Sequence, residues 1–182
     1  FTRDGEAGFL PTVEIGAGSH DTYKLALGLA GGTDVVDYSL GLSREISSGF
    51  NAMPLNNPDI DGYRSTSASG RIGLKLDTAN RVEATFLQNE TDAQYDGSLT
   101  SDQHSLRRLQ TVGLLWSANW TDAYSTRVSI GQGNDRYETA PSVYVTDTSV
   151  TSYLLHNEYR IENHTLSVDL ERREDKLNNV YT

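Results

Sequence analysis

Asp59 and Asp61 stand one residue apart in the stretch NNPDIDGY, residues 56–63, and Gly62 follows directly. Alternate carboxylates in an irregular segment can turn toward one ion. Calcium, a hard cation, takes about 6–8 oxygen ligands and suits such a pair. Pro and Asn make the segment read as a loop, with Gly62 providing the bend that returns the chain to a strand at Tyr63. The EF-hand pattern is absent, because no third acid precedes Gly62 and no Glu follows at the required spacing. The same residues also read as an ordinary solvated turn, since Asp and Gly favour turns. Spacing alone leaves both readings open.

The other reactive residue types are less organised. His20, His104, His156 and His164 show no paired spacing and no H-E-x-x-H. GQGND at 131–135 leads into a polar segment and not into a helix, so it is no phosphate cradle. No Ser-His-Asp set stands apart from the many serines and aspartates. Cysteine is absent, which removes thiolate metal sites, thiol nucleophiles and disulfides. These residues supply no organised catalytic set.

The elements that must carry Asp59 and Asp61 have a period of two. Leu25, Leu27 and Leu29 alternate with Lys24, Ala26 and Gly28, and Leu40 and Leu42 alternate with Ser39, Gly41 and Ser43. Ile72, Leu74 and Leu76 oppose Arg71, Gly73 and Lys75; Val112, Leu114, Trp116, Ala118 and Trp120 share a face. Tyr153, Leu155, Tyr159 and Ile161 do the same, with Asn157 as the exception. This alternation predicts an all-β, antiparallel up-and-down meander of about nine strands and no helix. The connections GGTD, DTAN, TD and EN are tight; those between them, apart from the short SHD, are long and polar. Alternating links place all long loops at one end.

That parity is the habit of a transmembrane β-barrel, with short turns on one side and long loops on the other. The charges opposite the apolar positions, among them Glu14, Lys24, Asp37, Arg71, Glu83, Arg127 and Asp169, would line a wet lumen. Trp116, Trp120, Tyr124 and Tyr159 fall near the short-turn ends, where an interfacial girdle lies. No apolar run approaches the ~20 residues of a membrane helix. A net charge of -10 repels polyanions and argues against nucleic acid as a partner. Two alternatives share the pattern: a complete small structural or adhesive outer-membrane barrel, and a soluble carbohydrate-binding β-sandwich with a solvated outer face.

FTRDGE at residues 1–6 resembles the junction between plug and barrel in TonB-dependent outer-membrane receptors, and GSHDTYKLALGLAGG is similar to the first barrel hairpin. PDIDGY and NETDAQYDG resemble two outer loops of the vitamin B12 (cobalamin) receptor branch. The resemblance implies that residues 1–182 are part of such a barrel, without plug or C-terminal strands, in the outer membrane of a Gram-negative bacterium. It further implies calcium held by Asp59, Asp61, Tyr95, Asp96 and Asp102, with Phe50, Tyr63 and Tyr95 as ligand contacts. The implied role is non-enzymatic, and the implied partners are cobalamin or another corrinoid or siderophore, outer-membrane lipid, and TonB through the plug.

Overall fold

The computed structural model describes residues 8–51, 59–98, 101–141 and 143–181. The FTRDGE segment lies outside the described residues. Nine strands form one antiparallel sheet in sequence order: β1 (Gly8–Gly18), β2 (Thr22–Gly32), β3 (Val36–Phe50), β4 (Asp61–Lys75), β5 (Asn80–Ser98), β6 (Ser101–Asn119), β7 (Tyr124–Ala140), β8 (Tyr144–Ile161) and β9 (His164–Tyr181). The expected meander is therefore present. Among the described residues only sequential strands touch, so β1 does not meet β9 and no second layer covers either face. A sandwich needs that second layer, and a small complete barrel needs β1 paired with β9.

The faces are chemically distinct. Cross-strand partners Leu29↔Leu40, Leu27↔Leu42, Leu114↔Ile130, Val128↔Leu155 and Leu155↔Leu170 build a continuous apolar band. Leu42, Leu114 and Leu170 are 59%, 49% and 63% exposed on this sheet, so the band needs an apolar surrounding to be covered. The opposite face carries Lys24, Glu45, Asp37, Arg71, Glu83, Arg127 and Asp169. Ala118 is the buried hydrophobic core residue among the described residues, joined by Arg71 and Thr126.

The band also records a tilt. The cross-strand row through Leu42 runs by Ala68, Gln88, Gln110, Asn134 and Ser149 to Lys176. The last apolar residue before the charged region is Leu42 in β3, Phe86 in β5, Ile130 in β7 and Leu170 in β9. Against the row, the top of the band slips by about one residue per strand. One residue is ~3.3 Å along a strand and one strand is ~4.8 Å of sheet width. The ratio is a tilt of about 35°, which is the stagger of a closed barrel wall.

The expectation of long loops is corrected. β5 and β6 are each 19 residues, and β7 and β8 are 17 and 18. A tilted membrane strand needs about 9–11. NETDAQYDGSLTSDQH and GNDRYETAPSVYVTDT are largely paired strand, running past the apolar band on one side. Their hydrophobic alternation disappears because polar side chains occupy both faces there. Backbone pairing persists, aided by Arg64–Asp92, Arg108–Glu90 and Arg107–Asp135 at 2.5, 2.7 and 2.6 Å.

At the other end the turns are short and the aromatic cluster is as expected. Trp116 and Trp120 meet edge to face with centroids 6.0 Å apart, and Tyr124 and Tyr159 at 6.3 Å. Asn157, the break in the apolar alternation, accepts hydrogen bonds from Tyr124 Oη and Thr126 Oγ1 at 3.1 and 2.8 Å. Trp120 Nε1 donates to the same Thr126 oxygen. The polar exception is the hub of the girdle.

Candidate ligand and metal site at the extended rim

The rim of β3 and β4 is shaped by a bulge. Ser47 pairs with Tyr63, but the next pair is Phe50 with Asp61, so β3 spends one residue more than β4. Gly49 occupies the bulge with φ 72°, a left-handed conformation that glycine adopts without penalty. The extra residue changes the parity of β3. Phe50 would otherwise follow Leu40 and Leu42 onto the apolar face; instead it shares the polar face with Asp61 and Tyr63. Tyr63 donates a short hydrogen bond from Oη to Glu45, which raises the phenol's pKa above its ordinary value through that bond, with burial and the carboxylate's charge adding to it.

Gly62 differs from its expected role. It lies inside β4 in an extended backbone and makes no bend. A Cβ there would sit 2.8 Å from the Ser47 carbonyl, so glycine permits close approach of β4 to the bulge. Its N–H donates to Gln94 Oε1 at 3.0 Å, tying β4 to β5. Asp61, read as part of a loop, opens strand β4, while Asp59 lies in the bend before it.

The predicted calcium residues lie toward one end of the sheet but on both of its faces, Asp61 with Tyr63 and Asp96 on the opposite side. Asp59 Oδ1, both carboxylate oxygens of Asp61 and Asp96 Oδ2 are shielded from solvent. For Asp59 Oδ1 no protein donor is present among the described residues. A carboxylate oxygen withdrawn from water without a donor is costly, and a cation relieves that cost. Asp96 is the backbone partner of Asp102 in the β5–β6 register and takes the face opposite Tyr63; Tyr95, one residue earlier, takes the face of Tyr63. The side chain of Asp102 lies outside the described residues, as do residues 56–58 of the NNPDIDGY stretch. Among the described residues no group of three or more His, Asp or Glu side chains is placed to hold a metal ion. Phe50, Tyr63 and Tyr95, the predicted ligand contacts, share the polar face.

Two charge clusters were not singled out by sequence reasoning. On the polar face, Arg71 Nη1 and Nη2 bind Asp37 and Glu83 at 2.7 and 2.6 Å, and Arg81 Nη2 reaches Asp37 at 2.6 Å. Above the apolar band, Asp92 bridges Arg64 Nε at 2.9 Å and His104 Nδ1 at 3.1 Å. Burial works to raise the Asp92 pKa, but the bonds from His104 and Arg64 outweigh it and hold the carboxyl below its usual range. The signal for both clusters was cross-strand register, which separate strand readings do not contain.

No family model and no curated protein matches the chain. Among solved structures, the copper transporter OprC superposes with a TM-score of 0.71 at 17% identity, over 98% of this chain and 30% of that chain. The sheet thus has the fold of part of an outer-membrane transporter barrel, and it spans about 30% of the length of that transporter. This likeness at 17% identity concerns the fold and does not single out the cobalamin branch.

Proposed function

We propose that the chain is the wall of an outer-membrane receptor for uptake of a scarce nutrient, with a cobalamin-type corrinoid as cargo. The observation that carries the reading is the segregation of faces on a tilted sheet whose strands overrun the apolar band on one side only. In that reading the band meets acyl chains, the charged face encloses water, and the overrunning strands present the ligand site to the exterior. No bond of the cargo is made or broken. Outer strands and a plug capture ligand, and force from TonB acting on the plug opens the lumen.

Calcium at Asp59, Asp61, Tyr95, Asp96 and Asp102 belongs to the same proposal. Its support is Asp59 Oδ1, withdrawn from water with no protein donor among the described residues, at the rim that also carries Asp61 and Asp96. The cation would hold the β3–β4 and β5–β6 ends together through hard oxygen donors. The copper of OprC is not carried over. That name describes the other protein, and the four histidines of this sequence show no paired metal-ligand spacing.

The test is equilibrium binding of cyanocobalamin to the full-length receptor in detergent, titrated with calcium, with copper as the control metal. The reading expects calcium to tighten cobalamin binding about tenfold or more, as a coupling of 1–3 kcal/mol allows, and expects Asp59→Asn with Asp61→Asn to abolish the effect. Cobalamin binding indifferent to calcium removes the metal assignment. Absence of cobalamin binding in calcium removes the cargo assignment.

A further inference from the structure

We infer that His20 and Phe50 form a pre-built aromatic shelf that binds a flat conjugated ring system at the mouth of the lumen. His20 lies in the link between β1 and β2, where no binding role has been placed. His20 and Asp21 are both left-handed, with φ 59° and 51°. They are the two central residues of the hairpin turn from Ser19 to Thr22, closed by Thr22 N–H to the Ser19 carbonyl at 3.3 Å, whose geometry calls for two positive φ values and is braced by further bonds.

Those bonds come from the bulged end of β3. The His20 carbonyl accepts from Ser48 N–H at 3.0 Å and from Ser47 Oγ at 3.1 Å. Ser47 Oγ in turn accepts from Thr22 Oγ1 and Gly49 N–H at 2.9 and 3.1 Å. One serine hydroxyl thus ties the turn, the bulge and the start of β2 together. The result sets the imidazole against the Phe50 ring, centroids 5.8 Å apart and planes inclined at 48°.

Phe50 remains 62% exposed after this contact. The rest of the polar face of β3 is Asp37, Ser39, Gly41, Ser43, Glu45 and Ser47. A large ring sent to that face by a bulge, braced from one side and left open on the other, has an unused flank. Bulges that re-aim a side chain concentrate at functional rims. The chemistry that covers such a flank is stacking and edge-on contact with a flat π-system. This rests on the proposed uptake reading and deepens it. A corrin ring fits the class, and His20 becomes a ligand-contact residue.

The test is cyanocobalamin binding to the full-length receptor in calcium, comparing wild type with His20→Ala, Phe50→Ala, Phe50→Leu and the double alanine variant. Each alanine change is expected to weaken binding about three- to tenfold. Phe50→Leu, which keeps apolar bulk without the ring, should fall nearly as far as Phe50→Ala. Heat-modifiability on gels, unchanged in Phe50→Leu, separates lost contact from lost fold. Wild-type binding with equal affinity in all variants overturns the shelf and leaves the uptake reading standing. A loss in Phe50→Ala that Phe50→Leu fully restores also overturns it, since bulk alone then suffices. No binding even by wild type overturns the cargo reading and the shelf with it.

Discussion

Arg71 spans Asp37 and Glu83 with its two terminal nitrogens and is 7% exposed. Removing it leaves Arg81 as the cation beside both acids, 2.6 Å from Asp37 but 3.8 Å from Glu83. Breaking a buried pair from one side costs about 3–5 kcal/mol, and the partial exposure of both acids reduces that. Arg71→Ala is expected to destabilise the folded barrel by about 2 kcal/mol, read as a lower urea midpoint in detergent. Arg71→Lys should recover only part, because an ammonium cannot fork between two carboxylates. An unchanged midpoint in Arg71→Ala would show that the cluster is fully hydrated. At this scale the sequence was only partly legible. Asp59 and Asp61 announced themselves by spacing, but Gly62 did not reveal that it serves close packing against Ser47. The bulge at Gly49 is invisible to any count of alternate residues, and so was the true direction of Phe50.

Strands and turns were more legible where one face is apolar. β2, β3 and the lower halves of β5 to β8 show a period of two because apolar and polar faces alternate there. The upper arms of β5 and β6 gave no such signal. Arg64, Asp92, Glu90 and Arg108 pair on one face while Ser65, Asn89 and Thr91 pair on the other, so polarity no longer reports direction. The tight turn before β5 was evident from DTAN, and its chemistry is specific. Asp77 accepts from the N–H groups of Ala79 and Asn80 at 2.7 and 2.8 Å and from the Asn80 side chain. The Ala79 bond, then the Asn80 bonds, hold its carboxyl below the ordinary value. A carboxyl with a folded pKa below its unfolded one stabilises above about pH 4 and loses that contribution as pH falls through the folded value. Asp77→Ala should therefore lower the unfolding midpoint at neutral pH, with the gap to wild type closing in strong acid. A gap independent of pH would contradict this account of the turn.

The whole molecule is a wall rather than a body. Its stability depends on the ladder between neighbours, on whatever pairs the outer edges of β1 and β9, and on cover for the apolar band. The drift of that band against the register gives a quantity to measure. On the proposed reading, polarised infrared spectroscopy of the protein in oriented bilayers should report strands inclined about 35–45° to the membrane normal. Strands nearly parallel to the normal would contradict the reading of the drift. Fold class and face chemistry were both legible at this scale from Leu40, Leu42, Asp37 and their equivalents, because an apolar and a charged face impose opposite demands on adjacent residues.

The most direct test of that division is spin-label accessibility along β3. The chain has no cysteine, so single cysteines placed at positions 39 to 43 label this stretch without background from the chain itself when the protein is held in vesicles. Labels replacing Leu40 and Leu42 should collide with oxygen, which concentrates among acyl chains, and labels replacing Ser39, Gly41 and Ser43 with a water-soluble nickel complex. Equal accessibility to both reagents at all five positions, or the reverse alternation, would contradict a wall with lipid on its leucine side and water on the other.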